Sequence, residues 1–216
     1  MEIKRFEFNM FPVNCYVLWD ETKEAVIIDA GCFYPEEQVK LKEFIRTNGL
    51  KVKYVLNTHL HLDHIFGNAY VLREFGLRPL AHEADEFLIP KISEYCHHFG
   101  FQVNEEAPGL GGHIADGDVI TFGHTTLKAL HVPGHSPGSI AFYNADVGCV
   151  FSGDVLFRCG VGRADLEGGS SEQLLNSIRT KLLTLPDETT VYPGHGEATQ
   201  IGYEKKYNPY LSASRW

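Results

Sequence analysis

Seven side chains of metal-binding type stand in settings that let them act together. Four lie in one short stretch, Thr58-His59-Leu60-His61-Leu62-Asp63-His64, directly after the apolar run Val52 to Leu56. In extended backbone, residues two apart project to the same side, so His59 and His61 can chelate one ion. Asp63 and His64 belong to the turn that follows and can face a second. Three more candidates each follow a strand-like segment: His135 after Thr126 to Val132, Asp154 after Cys149 to Ser152, and His195 after Thr190 to Tyr192. Gly134, Gly138, Gly153, Gly194 and Gly196 flank them and permit the close backbone approach that crowded imidazoles require. Ligands drawn from several strand ends can converge on one rim of a sheet.

This ligand set suits two cations. His59, His61 and His135 form one group, Asp63, His64 and His195 another, and Asp154 has two oxygens with which to bridge. A nitrogen and oxygen shell without thiolate suits two divalent ions, zinc first, with iron or manganese as alternatives. Coordination lowers the pKa of a water from roughly 15.7 to about 7, which supplies a bridging hydroxide for attack on a carbonyl. Asp63 and Asp154 are therefore the catalytic candidates. A Ser-His-Asp mechanism is set aside for want of a nucleophile elbow.

The rest of the chain must position these residues. Its 216 residues carry 19 Lys and Arg against 28 Asp and Glu, a net charge of −9, which argues against nucleic acid as a partner. At 44% hydrophobic and 22% charged, the composition is that of one folded domain over residues 1–216. No apolar run approaches the roughly 18 to 20 residues of a membrane span, and no signal peptide is evident, so no membrane partner is expected. Five cysteines without a Cys-x-x-Cys pair fit neither a disulfide framework nor a zinc ribbon and point to a reducing cytoplasm.

Apolar β-branched runs predict strands at Val26 to Ile28 and Val52 to Leu56, then at Val119 to Phe122, Thr126 to Val132, Ser139 to Tyr143, Cys149 to Ser152 and Thr190 to Tyr192. The N-terminal residues also alternate like a strand. Helices are predicted at Pro35 to Asn48, at Asn68 to Phe75 closed by Gly76, and from Ser171 to Leu185 behind a Ser170/Gln173 capping box. Residues 83–112 give mixed signals and read as helical pieces and loops. The interleaving implies a layered α/β domain. The tail aromatics Tyr203, Tyr207, Tyr210 and Trp216 are read as packing on it.

The motif Thr58 to His64, followed in order by His135, Asp154 and His195, resembles the metallo-β-lactamase superfamily. The resemblance implies a four-layer αββα sandwich with the metals at one edge. Within it, Pro133-Gly134-His135-Ser136-Pro137-Gly138, Gly162-Arg163-Ala164-Asp165-Leu166 and Pro193-Gly194-His195-Gly196 are similar to the hydroxyacylglutathione hydrolase, or glyoxalase II, group. That likeness implies hydrolysis of small-molecule thioesters, or of esters such as lactones, with Arg163 in the place of a basic residue that holds a substrate carboxylate. Many β-lactamases have a cysteine ligand where this chain has Asp154, which disfavours antibiotic hydrolysis. The persulfide dioxygenases, which use one iron, share the Gly-Arg-x-Asp stretch and are the competing enzyme class. A metal-binding protein without catalysis is the third. Asp29, between a strand and Ala30-Gly31, is read either as the carboxylate that orients a ligand histidine or as a turn cap. His82, His97, His98, His113, His124 and His131 are read as structural or surface residues.

Overall fold

The computed structural model describes residues 1–103 and 105–211. Trp216 lies outside the described residues. The chain divides into two compact units, one of residues 1–114 with 121–126, the other of residues 115–120 with 127–216.

The first unit is built on a mixed sheet in the order β1 (Glu2–Phe8), β2 (Val13–Trp19), β3 (Glu24–Ile28), β4 (Lys51–Leu56), β5 (Leu80–Ala81) and β6 (Gly112–His113). The first three strands are antiparallel neighbours, whereas β3 and β4 run parallel. A parallel pair needs a crossover. It is supplied by α1 (Pro35–Thr47), which starts on Pro35 and acidic Glu36 and Glu37 and stops at Asn48, with Gly49 at φ +64. Leu41 and Ile45 of α1 and Val71 of α3 (Asn68–Phe75) pack with Val13, Cys15, Val17 and Ile27 of the sheet. Between β4 and α3 lies α2 (Leu62–Ile65), a single turn. A 3-10 stretch, Glu83–Lys91, and α4 (Ile92–His98) place Leu88, Ile92 and Cys96 against Leu60 and Ile65. The mixed signals of residues 83–112 thus resolve into short helical pieces.

The second sheet runs in the order β14 (Thr199–Gln200), β13 (Thr190–Pro193), β10 (Cys149–Gly153), β9 (Ile140–Asn144), β8 (Thr125–His131) and β7 (Val119–Phe122), and a separate ribbon pairs β11 (Leu156–Phe157) with β12 (Gly160–Val161). In α5 (Ser171–Ser177) the Ser170 hydroxyl accepts the Gln173 N–H, as the capping signal implies. The helix then widens into a π turn, Ile178–Leu182, closed by Leu183 N–H on the Ile178 carbonyl, and ends three residues before the expected Leu185. Leu174, Ile178 and Leu182 pack on Val150 and Val191. In α6 (Ile201–Tyr207), buried Glu204 accepts the Cys159 N–H and the Asn208 side-chain amide. Tyr203, Tyr207 and Tyr210 stay largely exposed on the surface, where Tyr203 lies against Tyr207 with the Arg158 guanidinium over its ring. Each unit is a sheet with helices on it, one α/β half of the sandwich that the resemblance implies. Among the described residues no helix is long and apolar enough to cross a membrane.

One buried carboxylate ties down a hairpin tip. Asp20 accepts the N–H of Thr22, the N–H of His124 at 2.7 Å and the Thr125 hydroxyl at 3.0 Å. Burial opposes its charge, but the hydrogen bonds from Thr22, His124 and Thr125 outweigh it and bring its pKa down to about 2. Unfolded Asp titrates near 3.9, so this stabilisation is complete above about pH 4 and is lost as the pH falls toward 2. The shift corresponds to about 2 kcal/mol. Asp20→Asn is expected to cost about that much in urea unfolding at pH 7. The gap from wild type should close as the pH is lowered; a gap independent of pH would contradict the assignment.

Candidate metal centre

In the first unit the parallel β3–β4 pairing brings two strand ends together, since Ile28 pairs with Leu56. Asp29 leaves one and Asn57-Thr58-His59 leaves the other. Asp29 is buried and takes φ +54, a left-handed conformation that Asp tolerates better than most residues. Its carboxylate accepts the Thr58 N–H at 2.7 Å, the Thr58 hydroxyl at 2.7 Å and His64 Nδ1–H at 3.0 Å. An ionised carboxylate only accepts, so Nδ1 of His64 carries a proton, and in the neutral ring Nε2 is the nitrogen able to bind a cation. Of the two readings of Asp29, the structure selects the one that orients a histidine.

His64 sits on α2, whose single turn is fixed from both sides. Asn57 donates to the His64 carbonyl at 3.1 Å, and Asn9 donates to the Asp63 carbonyl at 3.0 Å. The ring of His59 lies 4.7 Å from that of His61 and 4.1 Å from that of His64. Asp63 Oδ2 is 3.7 Å from His64 Nε2. Two of these imidazoles, His59 and His64, are buried, while His61 and Asp63 are half-buried. All four residues of the motif therefore gather at one end of the first sheet.

The second unit does the same with its own three candidates. Strands β10 and β13 are parallel, with Gly153 opposite Pro193, so Asp154 and His195 emerge side by side. His195 Nε2 lies 3.4 Å and His135 Nε2 3.7 Å from the same oxygen, Asp154 Oδ2. His135 donates Nδ1–H to the Arg163 carbonyl at 2.7 Å, which again leaves Nε2 as the acceptor nitrogen. An acceptor nitrogen facing a carboxylate oxygen is an arrangement that a cation between them stabilises.

Glycines make room for these contacts. Gly134, at φ +136, has Leu174 N 2.1 Å from where a Cβ would be, and a Cβ on Gly162 would stand 1.9 Å from the Asp154 carbonyl oxygen and 3.3 Å from His135 Nδ1. Gly162→Ala must therefore displace the main chain that carries Asp154. A shift on the ångström scale at reacting groups costs on the order of 100-fold. We expect a loss of that size in kcat/KM with an unchanged far-ultraviolet circular dichroism spectrum; wild-type turnover would show that the contact is not made.

Arg163 reaches this group through its main-chain carbonyl. Its guanidinium is held by both oxygens of Asp165, at 2.7 and 2.8 Å, and the Arg163 hydrogen bond brings the Asp165 pKa down to about 2. A Gly-x-Ser-x-Gly string does occur, at Gly134 to Gly138, contrary to the absence of an elbow assumed above. It joins β8 to β9, two strands, and the buried Ser136 hydroxyl bonds to Ser139 at 2.8 Å, so the strand-turn-helix presentation of a nucleophile is missing. The other histidines are engaged elsewhere: His82 caps the 3-10 stretch, His131 contacts the Pro137 carbonyl and His113 meets Glu86. All five cysteines are free, four of them buried and Cys159 exposed. Thr58 and Gly162 are the positioning residues that sequence reasoning quoted without assigning a role.

The profile of the metallo-beta-lactamase superfamily matches residues 9–195. The chain belongs to the metallo-β-lactamase superfamily. Its superfamily relatives include the hydroxyacylglutathione hydrolase GloC of Haemophilus influenzae, 36% identical over 99% of both chains. The human mitochondrial persulfide dioxygenase ETHE1 is 33% identical over 94% of this chain and 74% of its own. The crystal structure of the BLEG-1 B3 metallo-beta-lactamase superposes with a TM-score of 0.89 at 34% identity, covering 98% of this chain and all of that one. The metallo-β-lactamase fold is thereby shown. Identity does not choose among three relatives of different activity.

Proposed function

We propose that this superfamily member is a dinuclear metallohydrolase acting on small-molecule thioesters, with His59, His61 and His135 holding one divalent ion and Asp63, His64 and His195 the other. Asp154 would be the carboxylate available to both sets. The observation that carries this reading is the Asp154 carboxylate, which offers one oxygen to both His135 and His195 at 3.7 and 3.4 Å. Oriented imidazoles and carboxylates without a thiolate fit zinc, iron or manganese. Bound divalent ions would supply a water acidified to about pKa 7 and polarisation of the scissile carbonyl.

The chain's own groups do the rest. Asp29 and the Arg163 carbonyl engage Nδ1 of His64 and His135, which orients both rings and leaves Nε2 to face the site. Asp63, on the first turn of α2, is placed to take the proton released by the attacking water at Oδ2. Arg163, if released from Asp165, offers a planar fork for a substrate carboxylate. Free cysteines suit a cytoplasmic location.

Metal analysis joined to a substrate panel tests the reading. Two equivalents of metal with hydrolysis of S-lactoylglutathione or a simpler thioester are expected. One iron with oxygen uptake on glutathione persulfide would replace it with dioxygenase chemistry; turnover of lactones or β-lactams alone would move it to another hydrolase class, and bound metal without any turnover would leave a binding protein.

A further inference from the structure

A buried polar network in the second unit holds an exposed hairpin tip for which the hydrolase reading has no use. The β11–β12 ribbon begins two residues after Asp154 and returns to Gly162, which packs against the Asp154 carbonyl, so both of its ends rest on the ligand group. Leu156 pairs with Val161 and Phe157 with Gly160, which leaves Arg158 and Cys159 as the tip. The ring of Phe157 meets that of His195 at 6.5 Å and 63°. Cys159 takes φ +54, a left-handed conformation that residues other than glycine seldom adopt. Glu204, fully buried, accepts its N–H at 3.0 Å, along with the Thr199 hydroxyl at 2.6 Å and the Asn208 side-chain amide at 2.7 Å. That amide also donates to the Gly160 carbonyl at 3.0 Å. The main chain of the tip is therefore fixed from beneath, beside His195.

The tip presents a cation. The Arg158 guanidinium lies 5.7 Å from the centre of the Tyr203 ring, and Cys159 donates Sγ–H to the Tyr203 hydroxyl at 3.6 Å, so the ring supports the tip from α6. Glu197, two residues past His195, supplies the opposite charge through Oε2, 3.1 Å from Arg158 Nη1. Both side chains are exposed, and an ion pair of that kind contributes little, so a second carboxylate displaces it at small cost. Arg163 differs, because both oxygens of Asp165 take up its fork, at 2.7 and 2.8 Å.

We propose that Arg158 binds a carboxylate carried by the substrate and that Glu197 is the internal competitor for that place. The position of the Glu197 carboxylate stands in for that of the substrate. Two residues of chain span at most about 7 Å, so a carboxylate at Arg158 and a thioester at the ligand group are joined by an arm of a few bonds. A charge-assisted contact of this type favours such a substrate over a neutral thioester of equal size. The reaction in this inference rests on the hydrolase reading; the binding of the carboxylate does not.

Three thioesters test it: S-acetyl-N-acetylcysteamine, which is neutral, S-acetyl-3-mercaptopropionate, with the carboxylate on the leaving thiol, and S-glutaryl-N-acetylcysteamine, with it on the acyl group. Arg158→Gln is expected to raise KM about tenfold for a carboxylate substrate, with kcat and the neutral substrate changed by less than about twofold. A rise confined to one of the two carboxylate substrates assigns the arm to thiol or acyl group. Glu197→Gln should lower the same KM about threefold; a rise instead would end the competitor role. Binding is read apart from turnover by the nitrogen-15 NMR signal of Arg158 Nε–H, identified by its loss in Arg158→Gln. It should shift when thioether analogues, with methylene in place of the thioester carbonyl, are titrated in. Such a shift without hydrolysis of any thioester would sink the hydrolase reading and keep the site. Hydrolysis with KM values unaltered in Arg158→Gln and an unmoved signal would overturn the proposal alone, as would a KM rise in Arg163→Gln that Arg158→Gln does not share.

Discussion

Asp154→Asn is expected to lower thioester kcat/KM by about a thousandfold or more, and metal content from two ions per chain toward one. Asparagine keeps the size of the side chain, but it loses the charge that offsets two cations and replaces one carboxylate oxygen with an amide nitrogen that only donates. A thousandfold is about 4 kcal/mol of transition-state stabilisation, within the several kcal/mol attributed to metal polarisation and a preformed nucleophile. The fold should survive, because Asp154 is a strand-end residue whose oxygen faces His135 and His195 and not the core under β10. Stoichiometric metal with undiminished turnover in this variant would end the bridging role.

Asp29 should separate the two jobs that one carboxylate performs. Asp29→Ala strands the Thr58 N–H, the Thr58 hydroxyl and His64 Nδ1–H in a buried site, each costing roughly 1–3 kcal/mol, and it puts alanine at φ +54. A loss of about 3–5 kcal/mol in denaturant unfolding is expected. Asp29→Asn keeps an acceptor for Thr58 and tolerates the left-handed backbone. It places an amide against His64, so metal affinity should fall 10- to 100-fold with a much smaller change in stability. Equal effects of the two variants on metal binding and on stability would assign Asp29 to the turn alone.

What the sequence made legible follows from distance along the chain. His59, His61, Asp63 and His64 occupy six consecutive positions behind a strand, so both their type and their shared setting are visible at once. His135, Asp154 and His195 each follow a recognisable run and sit among glycines. Asp29 was visible as a candidate, but its partner His64 is 35 residues away, and only the parallel β3–β4 register brings them together. Strand β2 escaped notice because Val13 to Leu18 are buried on both faces, which removes the alternation that announces a strand. One turn of helix, α2, is too short to show a period. The packed rings of Phe11, Phe33, Phe66, Phe99 and Phe101 were illegible as a group for the opposite reason, since they come from four segments far apart in the chain.

Asn9, which holds the Asp63 carbonyl, has a bearing on how such a protein can diversify. It grips main-chain oxygens of Gly31 and Asp63 and is itself gripped by Glu37, so none of its bonds involves a phenylalanine side chain. The neighbouring phenylalanine side chains can therefore be exchanged for other residues while the main chain that carries Asp63 keeps its support.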